Sequence, residues 1–137
     1  MAENAKPIPS PTEATQPFWS GCASGVLRLR KCQRCAKFLA PTRAVCACGN
    51  SELTWVDASG RGRVFSFTVV HRAPDPAFRA ELPYAIAVVE LEEGAKLMSN
   101  ITGCAPAEIR VGMPVRAVFD QVAPGIGVPK FQPRSDQ

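Results

Sequence analysis

The chain is poor in the side chains that do chemistry. Its one histidine, His71, stands at the end of an apolar stretch, where a packed or solvent-facing imidazole is the ordinary outcome. There is no Gly-x-Ser-x-Gly elbow, no phosphate-cradling glycine loop and no His-Glu-x-x-His pair, so the enzyme classes those motifs mark are set aside. Cys22 and Cys104 have no histidine near them in sequence, and both read as small packing residues. Asp75, Glu90, Glu92 and Glu93 sit beside turns and read as solvated. Without a nucleophile and base pair a stand-alone enzyme is disfavoured, and no catalytic residue is assigned. No apolar run approaches the roughly 18–20 residues that cross a bilayer, and the opening "MAENAKPIPSPTEATQPFW" lacks the apolar stretch of a secretory signal. The expectation is a cytoplasmic protein. Six cysteines would pair as disulfides only in an oxidising compartment, to which nothing here directs the chain.

What is present suits a small β-rich protein. Hydrophobic residues make up 46% and charged residues 20% of the 137 positions, as in ordinary globular domains. Thirteen prolines and ten glycines favour strands and turns. Residues 1–17 hold four prolines and little apolar content, and read as a disordered tail. "PFWSGCASGV" follows, with a proline where a helix can start and an aromatic pair to dock it. "VLRLRKC" alternates apolar with basic residues like a half-exposed strand.

Beyond residue 52, "LTWVDASGRGRVFSFTVVH" reads as one long bent strand, with Gly60 and Gly62 permitting a kink or bulge. Phe65, Phe67 and Val69 share one of its faces, and Phe65 and Phe67 are expected in the core. "APDPAFRAEL" is an excursion with a helical turn. "YAIAVVEL" and "AKLMSNI" are strands joined through a glycine hairpin. "APAEIRVG" reads as a short helix closed by Gly112, "PVRAVFDQV" as a strand, and "GIGVPKFQP" as the last strand. Five strands, the first long and bent, with a short helix between the third and fourth, is the order of an OB-fold barrel. An SH3-like barrel or small sandwich is the structural rival. The expected organisation is a tail over 1–17, a helical segment and metal ribbon over 18–52, the OB-fold over 53–133 and a tail over 134–137.

The segment "CQRCAKFLAPTRAVCACGN" carries the strongest chemical signal. Zinc takes four soft ligands in a tetrahedron with Zn–S near 2.3 Å, so its sulfurs lie about 3.8 Å apart. Cys32 and Cys35 have the spacing of a zinc knuckle. Cys46 and Cys48 are separated by Ala47 alone, so an extended backbone would hold their Cα atoms roughly 6.5–7 Å apart. Their side chains converge on one ion only if the chain bends, which Gly49 facilitates. Three outcomes stand: a zinc site of Cys32, Cys35, Cys46 and Cys48; a site that recruits Cys22, Cys104 or His71; and a ribbon without metal. The first is expected, because four neighbouring thiols in a reducing compartment rarely stay unligated. Such a site is closed by protein and therefore structural.

Charge adds a second signal. Arg28, Arg30, Lys31, Arg34, Lys37 and Arg43 lie in a stretch without a single acid. Such a patch serves either as a solvated rim or as a surface for a polyanion, nucleic acid or the phosphates of a nucleotide cofactor. Base stacking needs aromatic platforms, and "YAIAVVEL" offers only Tyr84 while "AKLMSNI" offers none. Alanine, valine and leucine dominate instead, as suits a surface packed against protein.

The runs "LRKCQRC", "RAVCACGN", "LTWVDASGRGRVFSFTVVHRAP", "PYAIAVVELEEGAKLMSNI", "EIRVGMPVRAVF" and "VPKFQP" together resemble the zinc-ribbon OB-fold proteins encoded beside thiolase-like enzymes, a family long filed as a domain of unknown function. The likeness spans about residues 18 to 133. It implies an N-terminal helical segment, a rubredoxin-like zinc ribbon and a C-terminal OB-fold, hence a mainly β protein. It also implies a non-catalytic auxiliary subunit of a thiolase, acyl-CoA acetyltransferase or retro-aldol lyase, helping to form the acyl-CoA site. In that role Arg61, Arg63, Lys130 or Arg134 would reach the phosphates of a coenzyme A thioester. The family carries C-x-x-C at both knuckles, and this chain departs from that pattern at Cys46 and Cys48. The alternative function is a nucleic-acid-binding ribbon and OB-fold protein that uses the 28–43 segment.

Overall fold

The computed structural model describes residues 7–134; the first six residues of the expected N-terminal tail and positions 135–137 of the expected C-terminal tail lie outside it. A single α-helix, α1 (Gln16–Ala23), is followed by eight strands: β1 (Arg28–Cys32), β2 (Phe38–Leu39), β3 (Leu53–Asp57), β4 (Arg61–Val70), β5 (Tyr84–Leu91), β6 (Lys96–Ile101), β7 (Pro114–Ala123) and β8 (Ile126–Pro133). The first three strands form an antiparallel sheet in the order β2-β1-β3, and the remaining five close a barrel in the order β4-β5-β6-β8-β7. That closed order, with a short helical turn between the third and fourth barrel strands, is the expected OB-fold. Among the described residues no helix is long and apolar enough to cross a membrane.

Alternation writes the barrel. Along β5, Ala85, Ala87, Val89 and Leu91 are buried, while Tyr84, Ile86, Val88 and Glu90 point the other way. The core they enter holds Val64, Val115, Phe131 and, from outside the barrel, Leu27 and Leu29. The ribbon sheet is thus rooted in the barrel's own core. Helix α1 presents Phe18 and Cys22, one turn apart, to that core, with Trp19 edge-on to Phe18 at 5.0 Å between ring centroids. Pro17 starts the helix where a missing N–H costs nothing. At its far end the helix lies close to β8: a Cβ added at Gly127 would stand 2.8 Å from the Cys22 carbonyl oxygen and 2.9 Å from the Gln121 amide nitrogen. Gly127→Ala therefore displaces the helix or the strand, and a loss of about 1–3 kcal/mol is expected in urea denaturation.

Three local expectations are corrected. The 53–70 stretch is two strands rather than one: β3 pairs with β1 along Leu53–Asp57, the chain turns at Ser59 and Gly60, and β4 begins the barrel. Pairing partners far away in sequence make that division. Gly60, at φ 78°, makes the bend between the two halves, and a separate bulge lies further on, between Val64 and Ser66 where the register against β5 shifts. It turns Phe65 outward, 51% exposed, instead of into the core; Phe67 is half-buried and packs against the core. The element within "APAEIRVG" is a short 3₁₀ turn, Pro106–Glu108, too brief to be a packed helix.

Candidate metal centre and arginine face

The ribbon sheet delivers its cysteines from two tight turns. Cys32 ends β1; its N–H donates to the Lys37 carbonyl at 2.9 Å, and the Ala36 N–H donates back to the Cys32 carbonyl at 3.0 Å. Ala36 takes a left-handed backbone, φ 63°, a strained choice for a residue with a Cβ. In the second turn the Cys46 N–H donates to the Asn50 carbonyl at 2.9 Å and the Gly49 N–H to the Cys46 carbonyl at 2.8 Å. Gly49, at φ 92°, supplies the bend that a longer knuckle would make between its cysteines. The shortened spacing is absorbed there.

The four sulfurs converge. Cys32 Sγ lies 3.6 Å from Cys48 Sγ and Cys35 Sγ lies 3.5 Å from Cys46 Sγ, and all four fall within 4.8 Å of one another. A zinc tetrahedron has edges of about 3.8 Å, so the donor set fits that ion. Cys22 is sealed in the main core, where burial pushes its thiol up to about 11, and it is not part of the group. Neither Cys104 nor His71 belongs to it. Cys104 is half-buried, and burial raises its thiol as well. His71 is exposed just past β4.

The surroundings favour negative charge on sulfur. Cys32 Sγ accepts from the backbone N–H of Cys35 at 3.5 Å, from the Asn50 side-chain amide at 3.4 Å and from the Arg34 N–H at 3.4 Å. These donors, the Cys35 N–H foremost and Asn50 next, lower its thiol to about 6. At Cys35 the Lys37 N–H pulls downward, but the adjoining Cys46, burial and the other sulfurs outweigh it and raise the thiol to about 11. The Cys32 thiolate forms readily while the Cys35 thiol resists ionising beside the other sulfurs, an arrangement that a bound cation relieves. Asn50, 8% exposed, also donates to the Glu52 carbonyl and accepts from the Glu52 N–H. It braces the cluster from outside it; the sequence reading missed it, because its role depends on where the second turn folds back.

Half of the basic stretch is spent on structure. Arg28 pairs with Asp57 at 3.2 Å and donates to the Pro17 carbonyl. Arg30 lies 4.5 Å over the Trp55 ring and donates to the Ala14 carbonyl, while Lys31 lies 5.3 Å over Phe38. These contacts fasten α1 and the outer strands onto β1. Arg34, Lys37 and Arg43 remain exposed.

A denser basic surface lies on the barrel. Arg61 faces Arg116 directly across β4 and β7, and Arg63 faces Pro114 in the same ladder; all three arginines are exposed. Arg116 in turn faces Gln132 of β8, and the Arg134 N–H donates to the Pro114 carbonyl. Arg61 and Arg134 approach the same Glu92 oxygen, at 3.2 and 3.9 Å. Arg63 donates to the Gly112 carbonyl at 2.9 Å. Arg61, Arg63 and Arg134 are thus brought onto one outer face, joined by Arg116, which only the strand register could reveal. Like charges directly opposite on a sheet are unfavourable, and Glu92 offsets part of this repulsion by lying between Arg61 and Arg134. Lys130 is not with them: it sits four residues before Arg134 on β8, pairs with Asp120 at 3.1 Å, and lines a groove of about 420 Å³ beside Tyr84, Ile86 and Met98.

Residues 55–120 match a family model described as the C-terminal OB-fold domain of ChsH2. A DUF35 domain-containing scaffold protein of Methanocaldococcus jannaschii is 38% identical over 103 residues, 74% of this chain and 70% of that protein. The 3-oxo-4,17-pregnadiene-20-carboxyl-CoA hydratase alpha subunit of Mycobacterium tuberculosis is 40% identical over 111 residues, 81% of this chain and 35% of that protein. The chain spans little more than a third of the length of the hydratase relatives it matches. Among solved structures, a chain of the Ltp2-ChsH2(DUF35) aldolase superposes with a TM-score of 0.79 at 34% identity, covering 91% of this chain and 98% of that one.

Proposed function

The chain belongs to the DUF35 family, and from that membership we propose that it is an auxiliary, non-catalytic subunit of an acyl-CoA-processing enzyme complex, stabilising its partner and helping to form the acyl-CoA site. The partner is a thiolase-like enzyme, an acetyltransferase, thiolase or retro-aldol lyase, and supplies the nucleophilic cysteine and the acid–base groups. The observation that carries this reading is the fit, over nearly its full length, to the chain of the Ltp2-ChsH2(DUF35) aldolase. The sealed Cys22 and the lone exposed His71 agree with it, since neither is placed to activate a nucleophile.

Within that role Cys32, Cys35, Cys46 and Cys48 hold a structural zinc, which closes the ribbon and has no open position for water or substrate. Arg61, Arg63, Arg116 and Arg134 receive the phosphates of the coenzyme A thioester, each guanidinium offering a planar fork of donors. Lys130, held by Asp120 in the groove beside Tyr84 and Met98, lies toward the acyl side of such a ligand. Reversing charge at Arg61 and Arg116 together is expected to raise the KM for a CoA thioester about 10- to 100-fold, with little effect on the matching pantetheine thioester that lacks the nucleotide. Equal loss with both substrates would overturn the assignment.

One observation favours the nucleic-acid alternative: Phe65 faces solvent, with Lys96 4.6 Å over its ring, and exposed aromatics beside cations stack bases. The test is co-expression with the neighbouring thiolase-like gene, followed by size exclusion and a thioester assay. Co-elution, with turnover confined to the complex, is expected. Turnover by the isolated chain, or salt-dependent oligonucleotide binding unaffected by CoA thioesters, would replace the proposal.

A further inference from the structure

Among the described residues, no helix or strand covers the middle of the outer face of β4, β5 and β6. Val88 of β5 faces Ser66 of β4 on one side and Met98 of β6 on the other, and the bulge adds Phe65 to the same row. Met98 is 73% exposed and Phe65 51%. The row above it runs Arg63, Glu90, Lys96, and the row below ends in Ile86 and Asn100. An apolar strip is thereby bordered by polar residues, the anatomy of an interface core and rim. A bulge that turns a phenylalanine from core to solvent costs hydrophobic burial, and bulges of this kind serve to re-aim side chains.

We propose that Phe65 and Met98 are the anchors by which this subunit seats on its partner, and that the seat leaves the arginine face at the edge of the interface. This rests on the acyl-CoA subunit reading above. The occupant is the thiolase-like subunit, presenting an apolar patch edged by carboxylates. Charge argues for it: β4 borders both surfaces, so one edge of the strip carries Arg61, Arg63 and Arg116 against Glu90 and Glu92. A second copy of this chain brings the same net-positive edge, its Glu92 already held by Arg61 and Arg134, whereas a partner with an acidic rim complements Arg63 and Lys96 beside the strip and leaves Arg61, Arg116 and Arg134 to the phosphates. Nucleic acid is the weaker fit, because the strip has one exposed aromatic among aliphatic neighbours and Tyr84 leans on Phe78, 6.4 Å between centroids. A ligand whose phosphates lie on the arginines then points its acyl end across β4 toward the partner.

Met98→Asp and Phe65→Asp, separately, in the co-expressed complex provide the test, with Val45→Asp, an exposed apolar position of the ribbon at 47%, as the control. Each anchor variant is expected to weaken association at least ~30-fold, read by size exclusion at falling concentration, while the melting temperature of the isolated chain stays within a few degrees. Val45→Asp is expected to bind as wild type. If wild type fails to associate with the thiolase-like subunit, the functional reading itself falls. If wild type associates and both anchor variants match it, the seat lies elsewhere and this inference alone is overturned. Concentration-dependent dimers of the isolated chain abolished by Met98→Asp would identify a second copy as occupant and overturn it too, as would a single-stranded oligonucleotide whose binding Phe65→Ala removes.

Discussion

Cys48→Ser is expected to lower bound zinc from about one ion per chain to near zero and to unfold the tip of the ribbon while the barrel stays intact. Cys48 is exposed, and serine nearly preserves its shape, so the loss reports on ligation and not on packing. The tip has little else to hold it: Cys32, Leu39 and Cys46 are its buried apolar residues, with Leu53 packed against them, too small a core to offset the ordering of two turns. Structural zinc supplies apparent folding energies of about 10–16 kcal/mol in small zinc peptides, ample for this segment. The inner half is different. Leu27 and Leu29 lie in the main core, and Trp55 and Val56 pack against it. Hydrogen exchange should therefore rise to the unprotected rate across residues 33–50 and stay slow along β5. Chelation of the wild type should reproduce the pattern, and added zinc should reverse it. A variant that keeps its full metal content would show that Cys48 is no ligand. A metal-free wild type with a protected tip would show that the thiol cluster stands by itself.

That site was legible because its signal is a spacing. Four thiols in nineteen residues admit few arrangements, and even the shortened pair could be judged against the reach of a bent chain, with Gly49 where the bend was needed. The barrel was legible for a related reason, since β5 and its neighbours alternate inward and outward cleanly. Features that depend on pairing across the fold were not. Nothing local in "GRVFSF" announces that the register slips after Val64, yet that slip moves Phe65 from core to surface and creates the strip it shares with Met98. Arg116 is an unremarked residue of a strand until the register sets it opposite Arg61. The basic run from Arg28 left a solvated rim and a polyanion surface both open, and Asp57, Trp55 and Phe38, which engage three of its six members, come from other strands. Composition exposes the inventory of charges; only topology says which of them are already occupied.

Phe131→Ala is expected to cost about 3–5 kcal/mol, a large share of the roughly 5–15 kcal/mol that holds a domain of this size. Phe131 is fully buried and sits where the barrel closes. It faces Ile101 in the single parallel pairing between β6 and β8, and Ala117 in the antiparallel ladder with β7. Its carbonyl also accepts the Thr102 N–H at 2.7 Å. Truncation leaves a void at a seam built from one ladder pair, where neighbouring strands cannot collapse inward without breaking their register. The melting temperature should fall by roughly 10–20 °C, with the denaturant slope unchanged if the barrel remains cooperative. Phe65→Ala supplies the contrast. It removes the same ring from a half-exposed position, so stability should shift by no more than about 0.5 kcal/mol while association with the partner weakens. Two phenylalanines of one barrel would then separate cleanly, one answering in denaturation and the other in binding. A large loss of stability from Phe65→Ala, or a small one from Phe131→Ala, would reverse the assignment of core and surface on which the docking proposal stands.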